Sequence, residues 1–119
     1  MTESSAITIT SEGPMLLAKV HCEHMGDDAA QALGAEVLAA AAQAAALPVV
    51  LDLSAVTMIP SLCIGSLVAL WRNFSQGKRR FILVGLQPKV RETLTVCRLD
   101  KLFEICDSLD EAKTRLSRA

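Results

Sequence analysis

Aromatic side chains are scarce: no tyrosine, one tryptophan and three phenylalanines in 119 residues. Stacking-based recognition of single-stranded nucleic acid is therefore poorly supplied. No basic arm exists either. Twelve Lys and Arg face thirteen Asp and Glu, for a formal net charge of -1. That balance gives no pull toward a nucleic acid or an anionic membrane. No uninterrupted apolar run reaches the length of a membrane span, because Gln, Asp or Pro breaks each one. Met1-Thr2-Glu3-Ser4-Ser5 carries neither the positive charge nor the apolar stretch of an export signal, so a cytoplasmic protein without membrane insertion is expected. The four cysteines, Cys22, Cys63, Cys97 and Cys106, make no Cys-x-x-Cys pair and sit in apolar settings. They are read as reduced core thiols. A Walker-type loop, a Ser/His/Asp arrangement and paired carboxylates are all missing, so no enzyme is predicted.

Half of the residues are apolar, enough for one core in a single domain over residues 1–119. Ile7 and Ile9 alternate with Thr8 and Thr10, as in a half-buried strand, and Ser11-Glu12-Gly13-Pro14 reads as a turn into a second strand over 15–21. Asp27-Asp28 offers cap chemistry for an alanine-rich helix over 29–46, with Leu33, Val37, Ala40, Ala44 and Leu47 inward. Val49-Val50-Leu51-Asp52-Leu53 and Phe81-Ile82-Leu83-Val84 are short, nearly unbroken apolar runs, the pattern of strands covered on both faces. Between them a helix is predicted over 61–76, with Ile64, Leu67, Val68, Trp71 and Phe74 buried and Gly77 as its stop signal. Pro88 opens a third helix, with Val90, Leu94 and Cys97 inward. A short strand over 103–106 follows, and Ser108 with Glu111 forms a capping box for a last helix. The order β-β-α-β-α-β-α-β-α implies an α/β fold: a mixed, mostly parallel sheet of four to five strands with about four helices.

At Leu51-Asp52-Leu53-Ser54-Ala55-Val56 the chain resembles the STAS family, the anti-sigma factor antagonist fold. The resemblance continues through Gly77, Phe81 to Gly85, Pro88, Val90, Leu94, Leu99-Asp100, Phe103 and Ser108 to Ala112. The ordered series carries it rather than any single motif. In that family the strand runs on to Asp-Ser-Ser-Gly-Leu-Gly at the start of the second helix; here the stretch is Pro60-Ser61-Leu62-Cys63-Ile64-Gly65. The resemblance implies a non-enzymatic module without a cofactor that binds a protein partner, such as an anti-sigma factor kinase or a stress-signalling scaffold, in transcription control. It also places Leu62 at the family's phosphoacceptor position, where leucine offers no hydroxyl. An accessory subunit that binds the ATPase of a lipid transporter is the alternative the resemblance implies, and it suits the lost acceptor.

Leu62, Cys63, Ser66, Leu70 and Asn73 are the expected partner-binding residues, with Leu62, Ser66, Leu70 and Asn73 near one helical stripe away from the core. Ser61 is a candidate phosphorylation site, weighed against a simpler role as the helix N-cap; Thr57 and Ser66 are weaker candidates. Cys63 at a helix start is read as packing rather than as a reactive thiolate. Asp52 is expected to bond N–H groups of the turn that follows it. His21-Cys22-Glu23-His24 gathers metal-ligand types, but strand alternation sends them to opposite sides and no second cluster supports a metal. Gly77-Lys78-Arg79-Arg80 is read as a solvated basic turn, extended by Arg91, Arg98 and Lys101. Self-association, through the early strands or the Leu62 surface, stays open.

Overall fold

The computed structural model describes residues 2–3, 7–13, 15–44 and 47–118, excepting the side chains of residues 2, 3, 27, 62 and 118. Its strands are β1 (Thr2–Glu3), β2 (Ile7–Glu12), β3 (Met15–Val20), β4 (Val49–Asp52), β5 (Phe81–Val84) and β6 (Glu104–Cys106). Its helices are α1 (Asp27–Gln43), α2 (Ser61–Gln76), α3 (Pro88–Val96) and α4 (Leu109–Arg118). The strands lie side by side in chain order in one sheet. The pairs β1–β2 and β2–β3 are antiparallel; β3–β4, β4–β5 and β5–β6 are parallel. The mixed, mostly parallel sheet with four helices matches the expectation. The two-residue β1 is the addition, too short to leave any periodicity in the sequence. In the first hairpin Glu12 pairs with Met15, and Gly13 between them takes φ 56°, open to glycine without strain.

Side-chain alternation divides the sheet into two unequal faces. Leu16, Ala18, Val20, Val49, Leu51, Phe81 and Leu83 point into the larger core with Leu33 and Val37 of α1, Leu67 of α2 and Val90 of α3. Met15, Leu17, Val50, Ile82, Val84 and Cys106 point the other way, with Ala112 of α4. Both faces of β4 and β5 are thus covered, which explains their unbroken apolar runs. The three crossover helices share one face, as successive right-handed connections between neighbouring parallel strands require. The alanines of α1 are small enough to bring that helix close to the sheet, with Ala30 and Ala41 fully buried.

Two helix ends depart from the expected signals. The N-cap of α1 is Gly26, not Asp27 or Asp28, and it carries no side-chain cap. At the end of α2, Gly77 has an ordinary φ of -88°. The left-handed residue is Lys78 at φ 57°, with Lys78 N–H donating to Ser75 O at 3.0 Å and Arg79 N–H to Phe74 O at 2.8 Å. This is a Schellman motif with lysine where glycine is the usual occupant. α3 ends the same way, with Arg98 at φ 61° and Leu99 N–H donating to Leu94 O at 2.8 Å. Cys97, expected inward, is exposed at that turn.

The basic turn after α2 is not solvated as expected. Arg79 Nε donates to Leu47 O at 2.5 Å, Nη1 to Ala41 O at 2.7 Å and Nη2 to Ala44 O at 2.6 Å. These carbonyls belong to the last turn of α1 and the link beyond it, where a helix cannot satisfy its own acceptors. Arg79 also lies 5.7 Å from the Phe74 ring centre, and Phe74, Phe81 and Phe103 pack together at 5.5 and 6.4 Å. All three phenylalanines are therefore structural. Arg80 forms a two-point pair with Glu104 across β5 and β6. Arg91 faces Asp107 at 3.6 Å and does not extend a basic patch at the Arg79 end. At the start of α4, Ser108 Oγ accepts from Glu111 N–H at 3.2 Å, while Glu111 reaches back to Asp107 N–H at 3.0 Å. That is the expected capping box displaced by one donor.

Arg79→Met keeps much of the apolar stem and removes three charge-assisted bonds. It is expected to lower unfolding free energy by about 2–4 kcal/mol in urea titrations. Arg80→Met, which loses a surface-side ion pair, is expected to cost about 1 kcal/mol or less.

Candidate docking site at the start of the second helix

The C-terminal ends of the parallel strands open into the segments 21–26, 53–60 and 85–87, which meet at one rim. Asp52 ends β4 there: its Oδ1 accepts the Ser54 N–H at 2.9 Å, as expected for a turn-forming carboxylate. Ser54 is held from the other side by Gln87, whose Nε2 donates to Ser54 O at 2.8 Å. Gly85, at φ 72°, lies beneath both. A Cβ there would stand 2.9 Å from Ser54 Cβ and 3.3 Å from Asp52 Oδ1. Backbone conformation and space both demand glycine at this position.

The rest of the segment is fastened to the chain that leaves β3. Thr57 N–H donates to Glu23 O at 2.8 Å, Thr57 Oγ1 donates to the same oxygen at 3.2 Å, and His24 bridges Met58 in parallel. Leu53, Val56 and Ile59 are buried below. Met58 is left outside, 54% exposed between half-buried Thr57 and buried Ile59. A flexible, polarizable side chain is thereby fixed on a rigid backbone, a combination suited to adaptable apolar contact. The sequence reading missed Met58. Its only signal was an apolar residue out of step with its neighbours in a loop next to a helix start.

α2 then begins at Pro60, the N-cap, which has no side-chain cap bond, and no acidic residue stands in its first turn. Ser61 is the first helical residue and exposed, so it is not the N-cap that its simpler reading made it. Leu62 lies in the same turn, and its side chain falls outside the described residues. Two of the expected docking residues are corrected. Cys63 is fully buried and Leu70 is 1% exposed; with Leu67 and Phe74 they form the core-facing stripe of α2. The helix is rotated from the expected setting, so Ile64, Val68 and Trp71 are only half-buried. Ser66 is half-buried and Asn73 exposed, but Asn73 sits three turns from the rim, near the other end of the helix.

The Cys63 Sγ is 3.4 Å from Met25 Sδ beneath the rim. Burial first, and the neighbouring Cys22 second, push its pKa up from 9.0 to about 11. The thiol stays protonated at neutral pH and is no nucleophile, as its packing role requires. The His21–His24 tetrad does not converge: His21 Nε2 lies 2.7 Å from Thr8 Oγ1 across the hairpin, while His24 runs alongside Met58. Among the described residues no group of three His, Cys, Asp or Glu is placed to hold a metal.

Gly85→Ala is expected to lower stability by about 2–3 kcal/mol, measured by denaturant unfolding, because left-handed backbone and contact with Ser54 act together. A second expectation concerns the thiols. Iodoacetamide at about pH 8 should label exposed Cys97 and spare Cys63, as mass spectrometry of peptides would read. Because the folded pKa of Cys63 lies above its ordinary value, the stability it contributes is intact below pH 9. It falls away as pH rises toward 11, a loss that Cys63→Ala should remove.

A family model described as the STAS domain matches residues 27–112. The fold is shared with an anti-sigma factor antagonist from Mycobacterium paratuberculosis, at TM-score 0.81 and 24% identity over 93% of this chain and 92% of that one. A STAS domain protein from Planctomyces limnophilus superposes at TM-score 0.83, with 21% identity over 96% of this chain and 99% of the other. The unphosphorylated anti-sigma factor antagonist SpoIIAA gives 0.72 and 15% over 96% and 99%. With the family model spanning most of its length and the sheet order, helix placement and β4-to-α2 turn described above, the chain belongs to the STAS domain family.

Proposed function

We propose that this protein is a non-enzymatic docking module, an anti-sigma factor antagonist-like regulator that grips a protein partner through the rim at the start of α2. The observation that carries the reading is Met58, an apolar side chain 54% exposed on backbone immobilised by Glu23, Asp52 and Gln87. Backbone held before contact loses little freedom on binding, and the methionine side chain can then adapt to the surface that covers it. Bare N–H groups at the start of α2 sit beside it and favour an acidic or carbonyl-rich partner surface. The rim thiol Cys63 is tuned away from reactivity, which speaks against covalent chemistry there.

Leu62 at the acceptor position removes the family's usual lever, so partner binding here is not switched through residue 62. Among the hydroxyls singled out from the sequence, Ser61 is the exposed one at the helix start; the Thr57 hydroxyl is committed to Glu23 O. A phosphate on Ser61 would bring about -1.5 to -2 charges to the rim. There it would stabilise α2 while adding a desolvation cost to any apolar contact. A second reading, an accessory subunit of a transport ATPase, rests on the same leucine, since a constitutive subunit has no need of a phosphorylation switch. The fold also occurs within a murine anion transporter of solute carrier family 26, matching 92% of this chain and 19% of that one at TM-score 0.78 and 13% identity.

Affinity capture with mass spectrometry tests both readings. A kinase-like anti-sigma factor in the eluate supports the first and a transport ATPase the second. Met58→Asp and Leu62→Asp are each expected to cut capture about tenfold or more with the far-ultraviolet spectrum unchanged. Undiminished capture by both variants would remove the rim as the docking surface. Ser61→Asp is expected to weaken capture while raising unfolding free energy by about 0.3–1 kcal/mol, the sign expected of an acid at a helix N-terminus.

A further inference from the structure

The sheet has two edges, and β6 forms one of them. Hydrogen bonds of the inner strands fix which way its backbone faces. Val49 N–H donates to Arg80 O at 2.9 Å and Leu53 N–H to Val84 O at 3.1 Å, so the even-numbered residues of β5 are turned toward β4. Leu83 is therefore turned toward β6, where its register partner is Ile105. In a parallel pair the bonds of such a residue go to the two neighbours of its partner, and the partner itself faces away. Glu104 and Cys106 thus bond to β5, while the Ile105 N–H and C=O point out of the sheet edge. Among the described residues nothing bonds to either. On both sides the donors are already spent: Phe103 N–H donates to Leu99 O at 3.0 Å and Asp107 N–H to Glu111 Oε1 at 3.0 Å. A cleft of about 470 Å³ lies along this edge, lined by Arg91 of α3, Arg115 of α4, and Glu104 and Ile105 between them.

We propose that this edge pairs with the same edge of a second copy of the chain, β6 against β6 in antiparallel sense about a twofold axis at Ile105. An antiparallel hydrogen-bonded pair consists of two residues that each give an N–H and a C=O to the other. One open residue on each strand supplies that and no more, so pairing ends at a dimer. The Ile105 side chain packs partly on the larger core, and the axis sets the two isoleucines side by side there as an apolar cross-strand contact. Charge names the occupant. Arg91, Arg115, Asp100 and Glu104 line the cleft, two of each sign. A uniformly acidic or basic peptide meets as much repulsion as attraction there, whereas a twofold copy brings the same mixed set and can match it. Glu104 is already held by Arg80, with Arg115 at 3.8 Å, so the two copies of this carboxylate do not meet as bare charges. Two ladder bonds make a weak dimer, with a Kd of about 100 μM. The inference does not rest on the rim proposed for partner capture, since it uses neither Met58 nor the start of α2.

The test follows the whole chain, nitrogen-15 labelled, from about 10 μM to about 1 mM by sedimentation equilibrium and amide hydrogen exchange. A monomer–dimer equilibrium is expected. Over that range the Ile105 amide should come to exchange about fourfold more slowly, with the Phe103 and Asp107 amides unchanged. Ile105→Pro removes the outward N–H without touching a bond to β5, a change that an edge position tolerates. Ile105→Lys keeps the N–H but sets two ammonium groups face to face across the axis. Each should raise Kd about tenfold or more with cooperative thermal unfolding retained, and the lysine variant decides alone if the proline variant fails to fold. Ile105→Val should leave Kd within about threefold. A monomer throughout the range, which would leave the edge to a foreign strand, overturns the assignment. So does growth beyond a dimer, as pairing of β6 with the β1 edge would give, or a dimer that Ile105→Lys leaves intact.

Discussion

Three helices connecting adjacent parallel strands on one face of a sheet must all run the same way. That constraint gathers the N–H ends of α1, α2 and α3 at one rim and their carbonyl ends at the other. The macrodipoles therefore add rather than cancel, and each rim needs chemistry of its own. At the carbonyl rim the answer is cationic. Arg79 caps α1 from a position 35 residues further along the chain, and Lys78 and Arg98 occupy the left-handed residues that close α2 and α3. Using basic residues where glycine is unstrained costs conformational energy, offset in part by placing charge against exposed carbonyls. At the N–H rim acidic residues open only α1, with Asp27 and Asp28. α2 and α3 have no acidic residue in their first turns, and the N-caps Gly26, Pro60 and Gln87 make no side-chain cap bond.

The parts of this fold that were legible in the sequence are those whose signals are local. Val49 to Leu53 and Phe81 to Val84 announce doubly covered strands because both of their faces are apolar. The limits of α2 and α3 follow from Pro60-Ser61 and Pro88, where the chemistry of a helix start is confined to one or two residues. The rotation of α2 was not legible. Leu62, Cys63, Ile64, Leu67, Val68, Leu70, Trp71 and Phe74 surround most of the helix, so several settings bury about the same apolar surface. What selects one is the tether. The Ser54–Pro60 connection, pinned at Glu23 and Gln87, fixes where the helix enters and turns Cys63 and Leu70 inward. The partners of Arg79 were equally hidden, since nothing near Lys78-Arg79-Arg80 points to carbonyls more than thirty residues earlier.

The same tethering explains why the two ends of α2 differ in character. The rim end is determined by contacts between neighbouring strand exits. Gly85 must lack a side chain so that Ser54 can sit above it, and Asp52 must end β4 so that Ser54 turns there. A shape set by three segments at once has few ways to relax, and Met58 is exposed because its neighbours Val56 and Ile59 are both needed below. At the other end Arg79 ties the chain after α2 to the last turn of α1, above the packed Ala41 and Phe74.

Sheet order also limits what the N–H rim can do. In doubly wound folds a ligand crevice arises where successive crossovers leave the sheet on opposite faces. Here the strands follow chain order and the crossovers of α1, α2 and α3 all stay on the larger core's face, so no such parting occurs between β3, β4, β5 and β6. A rim without that crevice lacks the two parted walls that a doubly wound fold gives its ligand. It does present an adaptable apolar side chain on held backbone, beside a helix start without a side-chain cap. Those features gain value when another surface covers them, as the docking role proposed for this rim requires.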